Sequence, residues 1–230
     1  MSALDDLPNL PAPAPPPLSQ LLEAELAQLT PVSTRRPVRQ LALLVAISLI
    51  YGVGVLAWLT LRRDLHELPM GWLVSAGLAW LLGFVVPVYL ATVPRAGAVM
   101  PRWKLAGASA IIGALGFIAL GLALHPSAPT SAPPLGWEHF MNGRGCLEFG
   151  LATALVPVVV GAIFLRGALP VGSRPIAAAL GAGGGSLGGL MLHLHCPITD
   201  GLHVGIMHGG VVAGAALLAA ALVPRATDVR

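Results

Sequence analysis

A short stretch between two apolar runs concentrates the side chains of this chain that bind metals. HLHCPITDGLHVGIMH, residues 193–208, contains four of the seven histidines and one of the two cysteines. Imidazole nitrogens and thiolate sulfurs together suit zinc, copper or cadmium. Cysteines outside the cytoplasm can also form a stable disulfide or a redox switch. The stretch therefore predicts a metal site or a thiol switch.

The other cysteine, Cys146, is expected near the same membrane surface as Cys196. Cys146 opens the fourth apolar run of the chain, and Cys196 closes the fifth. Consecutive elements are usually neighbours in space, so the two sulfurs are expected to approach each other. A functional pair, a static structural disulfide and two inert thiols all remain open.

These positions predict a set of four metal ligands. His193 and Cys196 are three residues apart and share a helix face, and two further histidines lie on the next run. The predicted set is Cys146, His193, Cys196 and either His203 or His208, with Glu138, His139 and Glu148 as further candidates. The spacing matches no compact zinc motif. In the competing interpretation, each histidine bonds a backbone carbonyl at a helix end.

The elements that must position these residues are membrane helices. Hydrophobic residues make up 56% of the 230 residues and charged residues only 10%, whereas a soluble domain carries about a quarter charged residues. Runs of about twenty apolar residues cross a hydrocarbon core of about 30 Å. Six such runs are predicted as helices, at residues 40–61, 72–93, 103–124, 147–165, 176–195 and 204–223. We predict an all-α, polytopic membrane protein.

The basic residues predict the orientation in the membrane. Three of the thirteen, Arg62, Arg63 and Arg144, lie on one side of the six runs. The other ten lie on the opposite side: Arg35, Arg36, Arg39, Arg95, Arg102, Lys104, Arg166, Arg174, Arg225 and Arg230. Because positive charge accumulates on the cytoplasmic side, both termini are predicted inside and the cysteines and histidines on or near the outer side. The scattered charges do not predict a nucleic-acid surface.

The N-terminal tail contains a short amphipathic segment. Residues 1–17 are rich in proline and lack a basic region, so they do not resemble a signal peptide. In LSQLLEAELAQL, residues 18–29, the leucines recur at helical spacing: Leu18, Leu21, Leu22, Leu26 and Leu29. A helix of twelve residues is marginal alone in water. The segment is therefore expected to bind a partner, with a helix resting on the bilayer as the alternative.

Glycines predict close packing of the last two helices. GAGGGSLGG, residues 181–189, places glycines four residues apart on the fifth run, and the pairs Gly205/Gly209 and Gly210/Gly214 do the same on the sixth. Small residues at this spacing let two membrane helices approach closely. We expect helices five and six to touch along these glycines.

Three other functions are weaker alternatives. Ser186 lies in a G-x-S-x-G pattern, and the sequence after His208 resembles the histidine helix of rhomboid proteases. The serine is about 14 Å below His195 and the histidine only about 8 Å below His203, so a catalytic dyad is disfavoured. Haem ligation by His193 and His208 matches no motif. A metal transporter would need ionisable residues in mid-membrane, and the runs contain almost none.

The chain resembles the polytopic bacterial anti-sigma factors typified by NrsF, the negative regulator of sigma F, with the CarR-like six-helix anti-sigma factors as relatives. The N-terminal LEAELAQLTPVSTRRPVR is a weak match. A more specific match is Cys146 at the start of helix four, with Pro157 within that helix and RGALP, residues 166–170, after it. The third match is His195-Cys196-Pro197, with a histidine downstream. The resemblance spans most of residues 18–223.

The resemblance implies a membrane-bound anti-sigma factor and not an enzyme. A cytoplasmic tail, residues 1–39, would hold an extracytoplasmic-function sigma factor at the bacterial inner membrane through segment 18–29. Residues 40–223 would form the transmembrane sensor, followed by a cytoplasmic tail at 224–230. Cys146 and Cys196 would sense a stress at the outer face. The additional histidines favour a divalent transition metal as that stress, and an oxidant or light-generated singlet oxygen stays open.

Overall fold

The computed structural model describes Ala27 and residues 36–94, 100–123, 143–166 and 172–227. Within these ranges the chain forms six helices, each long and apolar enough to cross a membrane. They are α1 (Pro37–Leu59), α2 (Met70–Thr92), α3 (Arg102–Ala123), α4 (Arg144–Leu165), α5 (Ser173–His195) and α6 (His203–Thr227). The first part of α6, His203–His208, is a π-helix, and Gly209–Thr227 continues as an α-helix.

The described residues confirm the predicted all-α class and the six membrane spans. Each helix begins and ends within four residues of its predicted bounds, because the apolar runs end where charged residues, prolines or glycines begin. Pro37 occupies the first turn of α1, where its missing N–H has no partner to lose. Apart from Ala27, the amphipathic segment 18–29 lies outside the described residues.

The fifth helix is the centre of the bundle. In its most apolar stretch of 18 residues, 83% is buried inside the protein, whereas the corresponding share is 17–50% for the other five spans. All five of those helices contact it. An element that is surrounded on every side needs small side chains, and the glycines of α5 provide them.

Glycines on different faces of α5 admit different neighbours. A Cβ on Gly185 would come within 2.6 Å of the Val212 Cα in α6. A Cβ on Gly184 would come within 2.9 Å of the Ala154 carbonyl in α4, and one on Gly183 equally close to the Phe84 carbonyl in α2. Real Cβ atoms do not approach this closely, so only glycine fits at these positions. The predicted contact of helices five and six is confirmed.

The expectation that the glycines of α6 contact α5 is wrong. Gly205 and Gly209 pack against Ile118 of α3, where a Cβ would lie 2.9 Å and 2.8 Å from its backbone. Gly210 and Gly214 face leucine side chains of α4. Spacing indicates that a helix face allows close approach, but it does not identify the helix that approaches, because a bundle of six offers several neighbours.

Gly185→Val is expected to destabilise the bundle by about 1–3 kcal/mol or more, because the added atoms would overlap the α6 backbone. The matched control is Gly113→Val in α3, where an added Cβ meets nothing within 4 Å. Thermal unfolding of the two purified variants in the same detergent measures the difference. Equal melting temperatures would contradict the packing of α5 described above.

Candidate metal centre

Four side chains converge where α4 begins, α5 ends and α6 begins. They are Cys146, Cys196, His203 and His208, whose ligand atoms all lie within 4.8 Å of one another. Cys146 is half-buried and the other three are buried. We call these four residues the Cys/His group.

The distances within the Cys/His group are short. The Cys146 and Cys196 sulfurs are 3.7 Å apart, and Cys196 Sγ lies 3.4 Å from His203 Nε2. The rings of His203 and His208 meet edge to face, with centroids 5.0 Å apart. The hydrogen bond that the Cys196 thiol donates to the Cys146 sulfur, together with burial, raises the pKa of the Cys196 thiol.

The π-helical segment brings both histidines into the group. In an α-helix of 3.6 residues per turn, residues five apart point about 140° away from each other. A π-helix instead bonds residues five apart and so stacks them on one face. His203 and His208, which bound the π-helix, therefore point together. Periodicity alone had allowed only one of them into the site.

Two residues that the sequence did not single out as site residues shape the group. Asp200 accepts the His203 backbone N–H on Oδ1 at 2.9 Å, as a residue at a helix N-terminus does. Gly143 precedes Cys146 by three residues, and a Cβ there would lie 2.7 Å from the imidazole of His203. An Asp three residues before a histidine is a recognisable capping pattern. The contact of Gly143 has no sequence signal.

The four ligand atoms of the Cys/His group lie close enough together to hold a metal ion. In tetrahedral geometry, ligands at about 2.3 Å for sulfur and about 2.0 Å for nitrogen place two sulfurs about 3.8 Å apart and a sulfur and a nitrogen about 3.5 Å apart. The observed separations are 3.7 Å and 3.4 Å. In addition, Nε2 of His208 is buried and makes no hydrogen bond within the described structure. Two sulfurs and two nitrogens suit zinc, copper or cadmium.

The structure does not bring His193 into the Cys/His group. Its Nε2–H donates to the Leu73 carbonyl at 3.1 Å, and its ring packs against Trp72 with centroids 4.9 Å apart. Of the five residues predicted as metal ligands, His193 therefore behaves as the competing interpretation expected, as a helix-end histidine bonded to a carbonyl. Glu148 pairs with Arg144 at 2.8 Å on the surface. Glu138 and His139 lie outside the described residues.

Ser186, the serine of the alternative catalytic dyad, has a structural environment. Its buried hydroxyl donates to the Ala182 carbonyl at 2.9 Å, one turn earlier in the same helix. Its neighbours Gly184, Gly185 and Gly188 are occupied in packing α5 against α4 and α6. His208, the other half of that dyad, belongs to the Cys/His group.

Comparison with known proteins found one family. The family model for NrsF, described as negative regulator of sigma F, matches residues 26–227. Among curated proteins and among solved structures, no match to the chain was found.

His208→Gln is expected to weaken cadmium binding by at least the 10–100-fold that loss of a supporting residue costs a metal site, because it removes one of four ligands. His193→Gln is the matched control and should leave the affinity unchanged, since its ring lies elsewhere. The ultraviolet charge-transfer band of cadmium thiolate, titrated in full-length protein, reports both. Loss of affinity in the His193 variant alone would contradict the ligand set.

Proposed function

The chain belongs to the NrsF family, negative regulator of sigma F, and on this premise we propose that it is a membrane-bound anti-sigma factor. The family description implies a negative regulator of a sigma factor, and the six apolar helices indicate a multi-pass membrane protein. In our proposal the chain holds an extracytoplasmic-function sigma factor at the bacterial inner membrane and releases it on a stress signal. The observation that carries the proposal is the Cys/His group at one end of a bundle that belongs to this family.

The proposed topology places both termini in the cytoplasm and the Cys/His group at the outer face. The excess of basic residues on one side of the spans supports this orientation. With six spans, the loop that carries Cys196 is on the opposite side from both termini. Signal reception and sigma binding would then take place on different sides of the membrane.

The proposed sigma-binding element is the amphipathic segment at 18–29. Leu18, Leu21, Leu22, Leu26 and Leu29 would form the apolar face that enters a groove of the partner, as amphipathic helices commonly do. The family match begins at residue 26. Residues 18–25, the first eight of its twelve residues, therefore precede the matched region, and we expect their sequence to set which sigma factor is bound.

The proposed signal is a divalent transition metal bound by Cys146, Cys196, His203 and His208. Support comes from separations that suit a tetrahedral ion and from the buried Nε2 of His208. When bound, such an ion would link the beginnings of α4 and α6 to the end of α5 in one coordination sphere. It can shift the protein only if it binds two helix arrangements unequally.

The 3.7 Å between the two sulfurs also supports an oxidant as the signal. A disulfide requires about 2.0 Å, so a short movement would allow one to form. The two thiols would then lose two protons and two electrons to the oxidant. This alternative uses the cysteines without the histidines, and variants of His203 and His208 separate it from metal sensing.

Deletion of residues 18–29 is expected to abolish co-purification with the partner, because it removes the proposed binding helix. The experiment expresses the full-length chain with each extracytoplasmic-function sigma factor of its host and extracts it in mild detergent. Deletion of residues 3–14, an equally long piece of the Pro-rich stretch, is the matched control and should retain the partner. Failure of every sigma factor to co-purify with the intact chain, under reducing and metal-free conditions, would refute the proposal.

A further inference from the structure

The outer end of α1 is fastened to the segment that carries Cys196. The Arg62 backbone N–H donates to the Leu194 carbonyl at 3.0 Å, and the Arg62 Nη2 donates to the Pro197 carbonyl at 3.2 Å. In return, His195 Nδ1–H donates to the Thr60 carbonyl at 2.8 Å. These bonds hold the chain on both sides of Cys196 against the residues that directly follow α1.

Arg62 is built into the protein. Its side chain is 2% exposed, and its Nε and Nη2 each donate to one Asp64 oxygen at 2.7 Å. This two-pronged pairing needs the planar guanidinium and fixes its orientation. The Arg62 hydrogen bonds hold the pKa of the Asp64 carboxyl below its usual range, so the pair stays charged. The pairing with Asp64 orients the guanidinium so that its Nη2 also donates to the Pro197 carbonyl.

The backbone between α1 and Arg62 is strained. Thr60 has φ 70° and ψ 156°, and it is the one non-glycine residue with positive φ in the part of the chain that the structure describes. A threonine persists in such a conformation only when its surroundings impose it. The His195 bond to its carbonyl is one such restraint. Release of the Cys196 segment would therefore let the end of α1 relax.

Helix α1 is the least enclosed of the six spans described. Only 17% of its most apolar stretch is buried inside the protein, which is the smallest share among the six spans described, whereas the share for α5 is 83%. Its other end begins at Pro37, directly after the N-terminal residues of the chain. The helix that begins closest to the tail is thus the least enclosed one, and the residues that follow its far end bond to the neighbours of Cys196.

We propose that Arg62 is a positioning residue that couples the Cys/His group to α1. Movement of Cys196 toward a shared ligand carries Leu194 and Pro197 with it, and Arg62 and Thr60 pass that movement to the outer end of α1. This inference rests on the proposed function for its signal. It adds the route by which the outer site reaches the tail.

The test measures amide hydrogen exchange in the full-length chain in lipid nanodiscs, with EDTA or with cadmium. The variants are Arg62→Met and Arg62→Lys, and the matched control is Arg63→Met, because Arg63 is exposed. The cadmium thiolate band is recorded for each, which shows that the Cys/His group is intact. In the wild type and in Arg63→Met, cadmium should change exchange at residues 54–62. In Arg62→Met, the cadmium-induced change in exchange should be smaller by about fivefold or more, while the cadmium affinity stays within about threefold of wild type. Arg62→Lys should give a change between those of the wild type and Arg62→Met.

Each outcome decides a separate claim. Cadmium-induced changes in α1 that persist in Arg62→Met overturn the coupling, as does bound cadmium without any change in α1 of the wild type. If the wild type binds no cadmium, the metal-sensing proposal fails. The EDTA samples still test whether Arg62 holds the end of α1 against the Cys196 segment. In the EDTA samples, Arg62→Met is expected to speed amide exchange at residues 60–62 and at His195, and Arg63→Met is not. Unchanged exchange in Arg62→Met would overturn the inference.

Discussion

The close approach of five helices to α5 is the constraint on which the rest of the structure depends. Van der Waals packing drives helix association in lipid, so a central helix must offer backbone surface to every neighbour. Gly183, Gly184 and Gly185 do this on three successive faces. The C-terminal end of α5, with Cys196 as its cap, is consequently held at a defined position and rotation. Cys146 of α4 and the first turns of α6 meet it there.

The Cys/His group draws its ligands from three segments that are separate in the chain. Cys146 lies in the first turn of α4, Cys196 follows α5, and two histidines bound the π-helix of α6. An ion bound by all three segments would tie these helix ends together, whereas an ion bound within one helix would not depend on how the helices are arranged. The π-helix is a local departure from regular geometry at the Cys/His group, and such segments often occur at functional sites. Helix α5 is the most enclosed of the six described spans and α1 is the least enclosed, so we expect α1 to move more readily than α5 distorts.

The sequence predicted most of the fold, and in the Cys/His group it predicted both cysteines together with one of the two histidines. Six apolar runs sufficed for the six helices, since lipid leaves little choice of structure for such segments. The approach of Cys146 to Cys196 followed from their positions at the ends of consecutive runs. The inclusion of both His203 and His208 did not, because a π-helix has no periodicity signal in so short a stretch. The position of His193 depended on a carbonyl 120 residues away, at Leu73. The proposed role of Arg62 was equally hidden, because its bond to the Pro197 carbonyl joins it to a distant segment.

The most direct test of the central claim uses the purified complex of the full-length chain with its sigma factor in nanodiscs. Cadmium is titrated into the complex while bound sigma factor is measured, for the wild type and for a Cys146→Ser, Cys196→Ser double variant. The account predicts that cadmium lowers sigma affinity of the wild type by about 5–150-fold, the usual range of coupling between two sites, and leaves the double variant unchanged. A wild-type complex that binds cadmium at the Cys/His group and retains its sigma factor with unchanged affinity would contradict it.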